Sequence, residues 1–180
     1  MRAGRPGIPR SLVLAILVAL AGALTARPAG ANGTGEVPWV SQLRAVNAAL
    51  AQMDVAAAER VWQEAYLAAL GSWRWDGVLE VGRAYLRIGK AAGRGETSIA
   101  RARNLYLAAL FRAREQRSLE GLLRTAEAFA QLGDRGVVEQ CFQIATSVAA
   151  ETRDPHAPAR IRAWAIQLGD PSLAPPDTRR

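Results

Sequence analysis

From Trp39 onward, apolar positions recur at steps of three and four, with charged and amide side chains between them, as on helices that bury one face. The pattern predicts seven helices: Trp39 to Met53, Val55 to Leu70, Asp76 to Ile88, Ser98 to Gln116, Leu119 to Leu132, Arg135 to Thr152 and Ala157 to Leu168. Asp76 and Ser118 stand where side chains cap helix starts. Gly71, Gly89, Gly133 and Gly169 fall just past periodic stretches, where a left-handed terminal residue is needed. No stretch alternates apolar and polar positions with β-branched residues, so no sheet is expected and the fold class is all-α.

A second regularity lies on top of the first. Ala58/Trp62/Ala65, Ala102/Tyr106/Ala109 and Val138/Phe142/Ala145 each place a ring between two small residues at helical steps of four and three. Such a stripe is a packing device: a large side chain flanked by gaps that admit a neighbouring helix. Ala102 and Val138 stand 36 positions apart and Ala58 and Ala102 stand 44 apart, which becomes 36 if eight residues are set aside. Lys90 to Thr97, reading KAAGRGET, is the segment to set aside, because charge and glycine there interrupt the apolar pattern as a loop does. Upstream of the second and third stripes stand Gly82 with Tyr85 and Ala126 with Phe129, both small-then-aromatic three apart. A period in the thirties marks helical hairpins that stack because none can bury its own face alone.

These residues resemble the tetratricopeptide repeat over about Trp39 to Glu151, most closely in the middle unit with Gly82, Tyr85, Ala102, Tyr106 and Ala109. The third unit keeps Ala126, Phe129, Phe142 and Ala145 with Val138 in a small position. The first keeps only Ala58, Trp62 and Ala65, with Val46 and Ala49 where glycine and tyrosine would stand. The resemblance implies about three antiparallel hairpins in a right-handed solenoid, with units at 39–70, 76–116 and 119–152. Ile161, Trp164, Ala165 and Leu168 give the helix at 157–169 one apolar face, as a terminal cap has. An ordinary antiparallel helical bundle is the alternative arrangement.

The family also implies a non-catalytic adaptor that takes a protein or peptide segment in the groove lined by the first helices. In that register one position is held by Asn47, Arg83 and Glu127, and a neighbouring one by Arg44, Glu80 and Arg124, with Arg87 extending the row. Asn47, Arg83, Arg87, Arg124 and Glu127 are therefore the candidate partner-binding residues. The clamp of lysines and asparagines with which the family holds a free C-terminus is not reproduced, since only Asn47 is of a matching type. The competing reading is a self-associating structural module of a cell-envelope complex.

The N-terminus speaks to location. Arg2, Arg5 and Arg10 precede an uncharged run from Ser11 to Ala26, and Ala29, Gly30 and Ala31 supply the small-x-small pattern of a cleavage site. Residues 1–31 thus read as a Sec-type signal peptide, 32–38 as a linker, and the product as periplasmic or secreted. An uncleaved anchor through 11–26 is the alternative, and the only route by which membrane contact is expected. As a helix, sixteen residues span about 24 Å, against a hydrocarbon core of about 30 Å. Asp170 to Arg180 contains three prolines and ends in two arginines, the composition of a disordered tail.

Removing the first 31 residues lowers the formal charge from +7 to +3, which leaves little reason to expect a nucleic-acid partner. The remaining charge is uneven, since Arg83 to Arg117 carries nine basic residues against Glu96 and Glu115. Solvated helix faces account for scattered arginines of this kind.

Catalytic constellations are not found. His156 sits in a proline-flanked turn with no second histidine or cysteine for a metal site, and Cys141 has no partner for a disulfide and reads as a small buried apolar residue. The glycines of Gly89 to Glu96 follow a helix and do not precede a lysine and hydroxyl in the order a phosphate loop requires. No cofactor, metal or enzymatic activity is expected. Trp62 and Trp164 read as core, whereas Trp73 and Trp75, flanking Arg74 at a connection, read as staples between helix ends.

Overall fold

The computed structural model describes residues 37–174. The candidate signal segment, residues 32–36 of the linker and 175–180 of the tail lie outside them. Among the described residues there is no strand, and seven helices follow one another: α1 Pro38–Ala51, α2 Val55–Gly71, α3 Trp75–Ala91, α4 Gly95–Glu115, α5 Leu119–Gln131, α6 Arg135–Thr152 and α7 Ala157–Gln167. A short 3-10 turn, Pro171–Leu173, follows near the end of the described residues.

The helices pack in consecutive pairs, α1 on α2, α3 on α4 and α5 on α6. Contacts also run between α1 and α3, between α3 and α5, and between α5 and α7. The residues of the three stripes, Ala58, Trp62, Ala65, Ala102, Tyr106, Ala109, Val138, Phe142 and Ala145, are all buried. So are Gly82, Ala126 and Phe129 on the first helices, whereas Tyr85 is only half-buried. Trp62 reaches across its pair boundary and donates from Nε1 to the carbonyl of Val81 at 2.8 Å. Ile161 and Ala165 of α7 are buried and Trp164 is half-buried, so the last helix does turn one apolar face inward.

One turn geometry recurs along the chain. The residues Met53, Trp73, Gly93, Arg117, Gly133, Arg153 and Gly169 all have positive φ, between 50° and 77°, and each follows the end of a helix. In five of these turns the next backbone N–H reaches back to the fifth carbonyl upstream: Asp54 to Ala49 at 3.0 Å, Arg94 to Gly89 at 2.8 Å, Ser118 to Ala113 at 2.9 Å, Asp134 to Phe129 at 3.0 Å and Asp170 to Ala165 at 3.0 Å. These are Schellman caps, which satisfy carbonyls that the helix itself leaves open. Four of the seven left-handed positions hold side chains that pay steric energy there. Met53→Gly is therefore expected to stabilise the fold by about 0.5–1 kcal/mol, because Met53 is 87% exposed and contributes little packing. Thermal denaturation followed by helix ellipticity should show a rise of about 3 °C, and a fall would mean that the Met53 side chain makes a contact that matters.

Three expectations need correction. The eight-residue excursion at Lys90 to Thr97 is mostly helix: α3 runs 17 residues and α4 runs 21, against 13 for α5 and 18 for α6, so roughly a turn is added to each middle helix. Lys90 in the last turn of α3 and Glu96 in the first turn of α4 both complement the helix dipole, which favours extension over a loop. The left-handed residues of the second and third turns are Trp73 and Gly93, two and four positions beyond the glycines expected to fill that role, and Gly71 and Gly89 lie inside helices. Asp76 is not the N-cap of α3. That position is Arg74, and Asp76 sits in the first turn, receiving Arg74 Nη2 at 2.5 Å and the Gly77 N–H at 2.9 Å. Burial pushes the Asp76 carboxyl up, but the hydrogen bond and charge of Arg74 outweigh it and hold the group below the usual carboxylate range.

Ser118 does cap α5, accepting from Gly121 N–H at 3.0 Å, and Asp54 caps α2 in the same way at 2.8 Å. The tail is ordered at its start, since Asp170 pairs with Arg135 at 2.7 Å and Leu173 packs against the core. Cys141 is buried, and burial alone pushes its thiol up to about 12.

Candidate functional site

The basic middle of the chain is largely consumed by internal contacts, which the sequence alone did not show. Arg103 of α4 grips both carboxylate oxygens of Asp134 at 2.7 Å, taking the side chain that would otherwise cap α6. Arg94 pairs with Glu59 of α2, and Arg117 lies 3.9 Å from Glu151 of α6. Arg112 donates to the carbonyls of Ala69, Leu70 and Arg74, a cation set at the negative end of α2. Its guanidinium also lies over the ring of Trp73, 5.3 Å from the centroid. Arg101 rests over Trp62, Tyr66 and Tyr85 at 5.1, 5.9 and 5.3 Å. These side chains bridge the second helices α2, α4 and α6, whose backbones approach each other little.

On the first-helix side the picture differs. Between α3 and α5 lies a cleft of about 340 Å³ lined by Arg83, Leu86, Arg87, Tyr106, Glu127 and Gln131. Arg83 spans it: Nη2 donates to Glu127 Oε2 of α5 at 3.0 Å while Nη1 donates to Glu80 Oε1 of its own helix, also at 3.0 Å. The same arginine keeps its Nε–H buried with no acceptor among the described residues. Arg87, one turn on, is exposed and has no carboxylate within ion-pair distance among the described residues.

The floor of this cleft is Tyr106, which reaches it from α4. Its ring passes over Gly82, where an added Cβ would sit 2.7 Å from the tyrosine ring, so only glycine leaves the path open. Phe129 of α5 meets the ring edge-on at 5.7 Å and 79°. Beyond them the hydroxyl is fully buried and has no hydrogen-bond partner among the described residues. Burial pushes the phenol up to about 12, offset in part by Arg83, reinforced by Glu80 and offset again by Arg87. The group therefore stays protonated, a hydrogen-bond donor, throughout the neutral range.

Of the five candidate binding residues, Arg83, Arg87 and Glu127 meet in this cleft. Arg124 does not join them: it pairs along α5 with Glu120 at 3.0 Å and faces solvent. Asn47 is exposed on α1 and is not among the cleft residues. The residue that sequence reasoning assigned to packing alone is Tyr106. A signal was present, since the equivalent ring of the third stripe is Phe142, which fills similar space with no polar atom. Trp73 is 71% exposed, so it is not the staple it was read as. Its left-handed backbone sends the indole outward, and Trp75 is the half-buried member of the pair.

Among the described residues no three or more His, Cys, Asp or Glu side chains are placed to hold a metal ion, and no helix is long and apolar enough to cross a membrane. Comparison with protein-family models, with curated proteins and with solved structures returns no match.

Proposed function

We propose that the chain is an exported, non-catalytic adaptor that holds a segment of another protein along the face formed by α1, α3 and α5, in a tetratricopeptide-like right-handed array capped by α7. The observation that carries this reading is the cleft between α3 and α5, where charged and amide side chains from two successive first helices surround a buried phenol. Contacts from one first helix to the next, and the stripes buried at each pair, agree with such an array. Export rests on residues 1–31 of the sequence.

A photo-crosslinking amino acid placed at Gln131 in the full-length chain, expressed in its own cell envelope, tests the reading. Discrete crosslinked partners are expected, and Arg87→Glu should reduce their yield by about fivefold or more, since a reversed charge at a rim replaces attraction by repulsion. Arg87 is exposed and has no ion-pair partner among the described residues, so its replacement is expected to leave the fold intact. Undiminished capture by Arg87→Glu overturns the groove assignment.

A second reading, a self-associating envelope module, draws on the exposed Leu67, Phe111 and Trp73, which are 67%, 60% and 71% accessible. Crosslinking confined to a second copy of the chain, with light scattering that rises with concentration, would favour it.

A further inference from the structure

Tyr106 carries a hydroxyl that its packing does not require. The ring is wedged between Gly82 and Phe129, and phenylalanine would fill the same volume without burying an unpartnered donor. Leaving such a group unsatisfied is costly in any fold, and here a second donor, Arg83 Nε–H, lies buried at the same cleft. The Arg83 Nε–H can only donate and the Tyr106 hydroxyl can donate as well as accept, yet the two do not bond each other. Glu80 and Glu127 each spend one carboxylate oxygen on the terminal nitrogens of Arg83 without reaching either group. Arg87 adds a positive charge at the mouth that no carboxylate among the described residues answers.

We infer that the cleft between α3 and α5 is a receptor for one carboxylate, supplied by an aspartate or glutamate side chain of a bound polypeptide, whose oxygens accept from the Tyr106 hydroxyl and Arg83 Nε while Arg87 matches the charge. This deepens the adaptor reading and rests on it for the origin of the polypeptide. A phosphate dianion fits poorly, because Glu80 and Glu127 flank Arg83 and repel a second negative charge. The Tyr106 hydroxyl and Arg83 Nε are closed to water, so a carboxylate reaches them only as the Arg83 side chain swings away from Glu80 or Glu127. A carboxylate on an unbranched methylene asks for less displacement than a chain terminus whose α-carbon carries a side chain and an amide.

The test uses the full-length chain labelled with nitrogen-15 and three small probes: N-acetyl-glutamate methylamide, its glutamine counterpart and N-acetylalanine. Titration with the glutamate probe should saturate, with a dissociation constant of about 1–10 mM, the Arg83 Nε–H resonance and the backbone amides near Arg87 and Gln131. The glutamine probe and N-acetylalanine should bind at least about tenfold more weakly. Tyr106→Phe should lose about tenfold in affinity while melting no lower than the parent, and Arg87→Gln should lose a similar factor. No saturable shift below about 50 mM, or unchanged affinity in Tyr106→Phe, overturns the proposal, and equal binding of N-acetylalanine overturns the side-chain source. The two readings separate cleanly. Partner capture that survives in Tyr106→Phe sinks the carboxylate receptor alone, and probe binding without any captured partner sinks the adaptor alone.

Discussion

Phe129→Ala is expected to remove about 3–5 kcal/mol of stability, the cost of deleting a fully buried phenyl ring and leaving a cavity that rigid neighbours fill only in part. A domain of this size has roughly 5–15 kcal/mol in total, so the variant should be largely unfolded at moderate denaturant. Two consequences combine here. The ring is the edge-on support of Tyr106, and the Phe129 carbonyl closes the turn into α6 by accepting from Asp134 N–H at 3.0 Å. The backbone bond survives the substitution, so the loss reports packing. Urea titration followed by helix ellipticity measures it, and a change below about 1.5 kcal/mol would mean that the ring is not held as described. Phe129→Leu, which keeps most of the volume, should cost only about 1–2 kcal/mol.

Gly89→Ala should cost about 3 kcal/mol for the opposite reason. Gly89 lies inside α3, where α4 crosses so closely that an added methyl would collide with Cβ and Oγ of Ser98. Ser98 is buried and its hydroxyl is fixed on the Gly95 carbonyl at 2.7 Å, so it has no free rotamer into which to retreat. The two helices must part, and overpacking of this kind is destabilising by roughly 1–3 kcal/mol or more. The diagnostic is the second substitution. Ser98→Gly alone should cost about 1 kcal/mol through helix propensity, yet the double variant should be about 2 kcal/mol more stable than the sum of the singles predicts, because one missing Cβ suffices for the approach. Strict additivity would show that Gly89 is there for some reason other than this contact.

How much of this was readable beforehand differs by kind of interaction. Helices and their buried faces follow from periodicity, and residues such as Ala65, Ala109 and Ala145 lie where helical steps place them because burial acts on every turn alike. The ends of helices were harder. The left-handed position is fixed by the geometry of the cap, so the chain places Trp73 and Arg117 there although glycine would be cheaper. In the Lys90 to Thr97 segment charge and glycine together read as a loop, whereas Lys90 and Glu96 each suit the end of an extended helix through its dipole. Arginine partners were illegible, since the Arg103–Asp134 and Arg112–Ala69 contacts join residues 31 and 43 positions apart. The candidate site was half visible: Arg83, Arg87 and Glu127 follow from a register of first helices, whereas Arg124 was drawn away by Glu120 on its own helix. Tyr106 reads as packing alone because its ring fills the core, and only the missing partner of its buried hydroxyl marks it as more.

The short turns described above have a kinetic consequence. Each helix is followed almost at once by the next, and a side-chain bond between neighbouring hairpins such as Arg83 to Glu127 closes a span of 44 positions. Low contact order of this sort means that ordering can start locally and spread along the chain at small loop-closure cost, a regime of microseconds to milliseconds. A polypeptide emerging N-terminus first could consolidate α1 with α2 before α5 is released, so that nascent stretches need little shielding while the remainder is still being delivered.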